Sequence, residues 1–258
     1  MANRPARIRP NGRRLSRGVD YTALALIAIA AIGLAAFALS GVTLRPGETI
    51  PRPSAALPTA TPPFTQTPTP TATPLATVSL LGDRTSAAPD SWWKKLAASQ
   101  IAGVAVAGAV VSAPADGTSN TTVAELQSKI DAITAALSGY VIVQAGSADV
   151  AEGTASRTVA ASVQNLWKAV SIRGATPVVA LLPPSDENAE SVTAVNELLT
   201  AAASAEGYPV LDLHTAVAAA NGTWAAGYSD DGVAANDQGS QVLSQAVSTQ
   251  LSELVRKK

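Results

Sequence analysis

From residue 78 onward the sequence alternates between short apolar runs and longer segments of helical character, and this alternation restricts the fold more than any other feature. Apolar runs fall at Val78–Leu81, Gly103–Val111, Tyr140–Gln144, Pro177–Leu182 and Pro209–Leu213. Helical segments lie between and after them, at Asp90–Ser99, Thr121–Leu137, Thr154–Ser171, Glu187–Glu206 and Asp237–Arg256. In Thr121–Leu137 the residues Val123, Leu126, Ile130, Ile133 and Leu137 recur at the spacing of one helix face. Val159, Val163, Leu166 and Val170 do the same in the next helix. Strands that read as continuous apolar runs are buried on both faces, and strand–helix alternation makes them parallel. The expected fold is therefore α/β, a three-layer α/β/α sandwich around a five-stranded parallel sheet. Such sheets bind ligands beyond the carboxyl ends of their strands, so the loops at 82–90, 112–119, 146–152, 183–186 and 212–236 are the places to look for chemistry.

The first 77 residues have a different character. Residues 1–20 form a basic tail carrying Arg4, Arg7, Arg9, Arg13, Arg14 and Arg17 without apolar periodicity. Residues 21–42 (YTALALIAIAAIGLAAFALSGV) carry no charge, and as a helix they would extend about 33 Å, enough to cross a hydrocarbon core of roughly 30 Å. The arginines before this run put its N-terminal side in the cytoplasm. A retained anchor and a cleaved signal peptide are both open readings. Ala36-Phe37-Ala38 fits a cleavage site, whereas the length of the apolar run and the polar stretch after it fit an anchor. Residues 43–77 hold nine of the seventeen prolines, with many threonines. Such a segment builds no core and reads as a semi-extended tether with a reach on the order of 100 Å. On either reading the globular part, residues 78–258, lies outside the cytoplasmic membrane.

Charge and composition exclude several functions. Residues 1–77 carry eight Lys and Arg against two acids, whereas residues 78–258 carry ten against seventeen. An acidic globular part does not suit nucleic acid, whose phosphates need a basic surface. The absence of cysteine removes disulfides, thiol catalysis and Cys-based zinc sites, and a single histidine, His214, rules out a multi-histidine metal centre. No cofactor or metal is expected.

Three loops carry motifs. Leu81-Gly82-Asp83-Arg84 follows the first strand and precedes a Trp-containing helix. Val141–Asp149 (VIVQAGSAD) runs from the third strand into a loop. Asp230–Gly239 (DDGVAANDQG) leads into the last helix. Their order and placement after strands resemble the SGNH (GDSL) hydrolase family, whose sandwich is flavodoxin-like, and the resemblance covers essentially all of 78–258. It implies that Arg84 stands where the family has its nucleophilic Ser. Likewise Ala148 replaces the oxyanion-hole Asn, and Ala234 the catalytic His. Gly82, Asp83, Gly146, Asp149, Asp231, Gly232, Asn236 and Gly239 match the motifs. Val110–Pro114 aligns with the block whose Gly donates an oxyanion N–H, and Ala113 there would keep that donor.

A serine hydrolase needs a nucleophile, a base and oxyanion donors, and these act as a unit. Here the resemblance leaves only Asp231, which would orient the base. The expectation is a membrane-tethered extracytoplasmic hydrolase-like domain that does not turn substrate over and acts as a binding or scaffolding module at the cell envelope, its binding residues for a glycan or protein partner being Gly82, Asp83, Arg84, Ala113, Gly146 and Asp231. The alternative is an active esterase or acyl-transfer hydrolase with relocated residues, for which Ser86 and His214 are the candidates; otherwise Ser86 is a helix N-cap or turn residue and His214 a loop histidine. Arg84 is read as the ion-pair partner of Asp231, or else as the holder of an anion. The acids at 83, 149, 230 and 231 raise a divalent-cation site, which Arg84 in their midst disfavours. Of the adjacent Trp92 and Trp93, one is expected in the core and the other partly exposed. Trp224 and Tyr228 are placed to line the cleft.

Overall fold

The computed structural model describes residues 75–114 and 121–257. The basic tail, the apolar run at 21–42, the tether as far as residue 74 and the loop at 115–120 lie outside the described residues. Among the described residues no helix is long and apolar enough to cross a membrane.

The chain enters through β1 (Ala76–Gly82), followed by two short helices, α1 (Arg84–Ala87) and α2 (Trp92–Ala98). Next come β2 (Val104–Ser112), α3 (Val123–Asp131), β3 (Tyr140–Gln144), α4 (Ser147–Ala151) and α5 (Ser156–Ile172). The remaining elements are β4 (Thr176–Ala180), α6 (Ala189–Glu206), β5 (Val210–Leu211) and α7 (Asp237–Arg256). The five strands form one sheet in the order β2-β1-β3-β4-β5, and every pairing is parallel. The chain moves outward from β1 to β2, then crosses back to β3 on the other side. That reversal creates a switch point between the carboxyl ends of β1 and β3, where parallel sheets open a crevice.

Alternation along each strand feeds two cores. Leu81, Val141, Val143 and Val179 point to the face covered by α3, α5 and α6, with Leu126, Ile130, Leu166, Trp167 and Leu199 packed there. Val78, Leu80, Tyr140, Ile142 and Val178 point to the face covered by α2 and α7, against Leu96, Leu243, Val247 and Leu251. Each fully buried Leu or Ile removes enough apolar area from water to contribute about 1.5–3 kcal/mol.

Several boundaries differ from the expectations, each because a side chain takes over a backbone group. The helix expected at Thr121–Leu137 ends at Asp131. Arg173 donates to the Ile133 carbonyl (3.1 Å) and the Ala169 carbonyl (2.9 Å), and Leu137 N donates to Arg173 O (2.8 Å), so the chain there is tied to α5. Ile133 and Leu137 still pack on the core, which is why they fit the helical period. β4 stops before Leu182 because Asn196 of α6 clamps that peptide, accepting from Leu182 N (2.7 Å) and donating to Leu182 O (2.9 Å). β5 is cut to two residues because Gln250 of α7 captures Asp212 in the same way.

Trp92 and Trp93 are both in the core, at 1% and 3% exposure, a correction to the expectation that one would face solvent. Helix α2 is enclosed between the sheet and α7, so directions 100° apart on it both meet protein. The two rings meet edge to face with centroids 5.9 Å apart.

Candidate active site

The crevice at the switch point is built by the turn after β1, the turn after β3 and the loop before α7. Gly82 opens the first turn, because a Cβ there would sit 2.8 Å from Leu80 Cδ2 and 3.0 Å from Ser86 Cβ. Asp83 N then donates to Gln144 O (2.9 Å), joining the ends of β1 and β3. The Asp83 side chain is buried and caps α1, accepting from Thr85 N (2.9 Å) and Thr85 Oγ1 (2.8 Å). Its second oxygen accepts from Ser147 N across the crevice (3.3 Å). Burial pushes its carboxyl above the ordinary value, although the hydrogen bonds from Thr85 and Ser147 oppose this.

At Gly146 the backbone has φ +116°, and a Cβ would meet Val159 Cγ1 at 2.8 Å, so only glycine fits. Two residues on from α4's first, Asp149 accepts from Val123 N (2.9 Å) and so satisfies the start of α3. In the last loop Asn236 caps α7 by accepting from Gly239 N (3.0 Å). Asp231 Oδ1 accepts from Val233 N and Ala234 N, both at 2.9 Å. Burial raises the Asp231 carboxyl, but the Ala234 and Val233 N–H groups, Ser229 and the charge of Arg84 together outweigh it and hold the group below its ordinary value.

Arg84, the first residue of α1, reaches this loop. Its Nη2 lies 3.7 Å from Asp231 Oδ2, the pairing expected from the sequence. Beside it is a pocket of about 120 Å³ lined by Asp83, Arg84, Thr85, Ser147, Ala148, Ala151 and Val233. Ala148 forms part of the wall and Ala234 lies in the loop next to Val233, so Arg84, Ala148, Ala234 and Asp231 converge on one place. Ser147, Ala151 and Val233 were not singled out from the sequence. All but Ala151 sit within or next to a motif block, which was the available signal.

The other candidates fall elsewhere. Ala113 N donates to Gly82 O (3.0 Å), so this N–H is spent on the sheet and is not offered to the crevice. Ser86 is fully buried and is not an N-cap, a role filled by Asp83. Its hydroxyl donates to Gln144 Oε1 and accepts from Trp92 Nε1 (3.1 Å). His214 lines a different cleft, of about 430 Å³, with Leu181, Thr193, Glu197, Thr200 and Asp212. Burial holds its imidazole below the ordinary value, against the opposing charge of Asp212 and the hydrogen bond that the imidazole donates to the Gly222 backbone. Ser86 does not line the cleft that holds His214, and its hydroxyl is paired with Gln144 and Trp92 instead. Trp224 is buried in the core and Tyr228 packs against it, and neither lines the pocket by Arg84. Among the described residues no cluster of three or more His, Asp or Glu is arranged to hold a metal ion.

The profile of the GDSL-like lipase/acylhydrolase family matches residues 76–242, from the first residue of β1 into α7. The chain belongs to this family. Solved structures agree on the fold. One is a protein assigned to the lipolytic G-D-S-L family from Desulfitobacterium hafniense DCB-2, at 19% identity and TM-score 0.55, covering 68% of this chain and 99% of that one. TesA aligns at 18% identity and TM-score 0.53 over 69% of this chain and 99% of its own. A GDSL-like lipase from Bacteroides thetaiotaomicron VPI-5482 aligns at 15% identity and TM-score 0.52, covering 70% and 88%. No curated protein sequence matches the chain. Within this family member, the positions retained from the motifs have architectural duties: Asp83, Asp149, Asp231 and Asn236 hold backbone N–H groups, and Gly82, Gly146, Gly232 and Gly239 permit close approach.

Proposed function

We propose that this GDSL-like domain is a non-catalytic module, held at the outer face of the cytoplasmic membrane by residues 21–42 and the Pro/Thr-rich tether, that binds a cell-envelope glycan or protein partner. The observation that carries the reading is Arg84 in the place of the nucleophile, engaged with Asp231, the residue that would orient a base. An arginine is protonated at any ordinary pH and is no nucleophile. Ala148 and Ala234 bring neither an oxyanion donor nor a base, and Ala113 N–H is committed to Gly82. What survives of the motifs holds loops together, which a binding module needs as much as an enzyme does.

The test uses the purified intact chain with a fluorophosphonate probe and a short-chain ester, and His214→Ala in parallel. Neither labelling nor turnover is expected. Turnover that disappears on changing a residue of the crevice or His214 would overturn the reading in favour of a relocated esterase site.

A further inference from the structure

We infer that His214 is a pH-sensitive latch. Neutral, it keeps the segment at 214–225 folded; protonated, it turns into the adjoining cleft toward Glu197 and lets that segment loosen, together with the stretch carrying Asp231. The segment closes on itself. Val217 N donates to His214 O (3.1 Å), Ala219 N to Thr223 O (2.8 Å) and Ala225 N to Val217 O (2.8 Å). Ala218 and Trp224 pair as an antiparallel bridge. The imidazole of His214, at the base, donates to the backbone of Gly222, at the tip. Trp224 N in turn donates to Asp186 Oδ1 (2.9 Å), and Asp186 N to Gly232 O (2.9 Å), next to Asp231. The histidine therefore stands at the start of a run of contacts that ends at the crevice.

The other ring nitrogen makes the arrangement sensitive to pH. His214 Nε2 is buried and has no hydrogen-bond partner among the described residues, so Nδ1 is the atom that serves Gly222. A neutral imidazole donates from one nitrogen and accepts at the other, whereas the imidazolium donates from both. Protonation in the closed segment would bury a charged N–H without an acceptor, which is costly. The cleft of about 430 Å³ beside the ring offers an acceptor. Its titratable groups besides His214 are Glu197 of α6 and Asp212, and no Lys or Arg lines it. Asp212 is held at the base of the segment, where Oδ1 accepts from His214 N (2.8 Å) and Thr215 N (2.9 Å). Glu197 has no hydrogen bond or ion pair among the described residues, so its carboxylate can receive the imidazolium. The burial that holds the imidazole below its ordinary value agrees with uptake of a proton on opening. Opening is then favoured as pH falls below the ordinary value of 6.5, by up to about tenfold per pH unit until the lowered value is reached.

The test uses the purified intact chain, prepared without a histidine tag, from about pH 8 to about pH 5. His214 is its one histidine, so imidazole NMR reports a single site. The Nδ1–H tautomer is expected at the alkaline end, with a titration midpoint below 6.5. Hydrogen exchange read by mass spectrometry, corrected for its intrinsic pH dependence, should show 214–225 and 226–236 opening together through the transition while β3 stays protected. His214→Gln should remove that pH dependence. Glu197→Gln, an exposed change, should reduce the acid-induced opening about twofold to fivefold, an effect that a histidine serving only to pack the segment does not predict. An Nε2–H tautomer, a midpoint at or above 6.5, opening that persists in His214→Gln, opening undiminished in Glu197→Gln, or opening confined to 214–225 would each overturn the inference.

Discussion

Arg84 and Asp231 face each other 3.7 Å apart across the crevice, one from the start of α1 and the other from the loop before α7. They link the first and last motif blocks of the domain across the crevice at the switch point. The pair is partly exposed, so its importance lies in what it places in the crevice rather than in stability.

On the proposed non-catalytic reading, a serine placed at position 84 should not by itself confer hydrolysis. Arg84→Ser would supply a hydroxyl, but no base and no side-chain oxyanion donor would accompany it, and members of such a unit do not act singly. Ester turnover by Arg84→Ser is expected to match the uncatalysed rate. The triple variant Arg84→Ser, Ala148→Asn, Ala234→His is the version in which fluorophosphonate labelling should first appear.

Asp83 should matter to stability and to its pH dependence. Asp83→Asn would turn an amide N–H toward Ser147 N, leaving buried donors opposed, at a cost of about 1–3 kcal/mol read from urea midpoints. The folded state holds the Asp83 proton more tightly than the unfolded chain does. Its contribution to stability therefore falls as pH rises from the ordinary carboxylate value through the raised folded value. That downward component should vanish in Asp83→Asn.

His214 gives the opposite slope. It is the one histidine of the chain, and its folded pKa is lowered. Between that lowered value and the ordinary 6.5, the unfolded state binds more protons, so stability rises with pH and the full contribution is present above 6.5. Denaturant midpoints of the native chain should climb across this window. In His214→Gln the same window should be flat.

Gly239→Ala should be among the most damaging single-methyl additions in the domain. Its Cβ would lie 2.2 Å from Tyr228 O, a backbone atom that cannot swing aside. Overpacking of this kind costs about 1–3 kcal/mol and would disturb the loop that carries Asp231. Gly153→Ala, where nothing lies within 4 Å, should bear only the strain of its positive φ, about 1–2 kcal/mol. Thermal unfolding of both variants checks the ranking.

Apolar runs such as Val141–Val143 and Val178–Ala180, with helical periods between them, determined by themselves that five parallel strands would be covered on both faces. Burial on two sides demands apolar residues in succession, and that demand is written locally. The order of motif glycines and aspartates likewise made the crevice legible, since turn geometry restricts residue type. The extents of β4, β5 and α3 were decided only in the tertiary structure, because Asn196, Gln250 and Arg173 compete for backbone groups from distant positions. So was the fate of the candidate donors. Ala113 N–H belongs to Gly82, and Ser86 is buried under Gln144 and Trp92, because a hydrogen bond goes to whichever partner the packing of the sheet brings nearest.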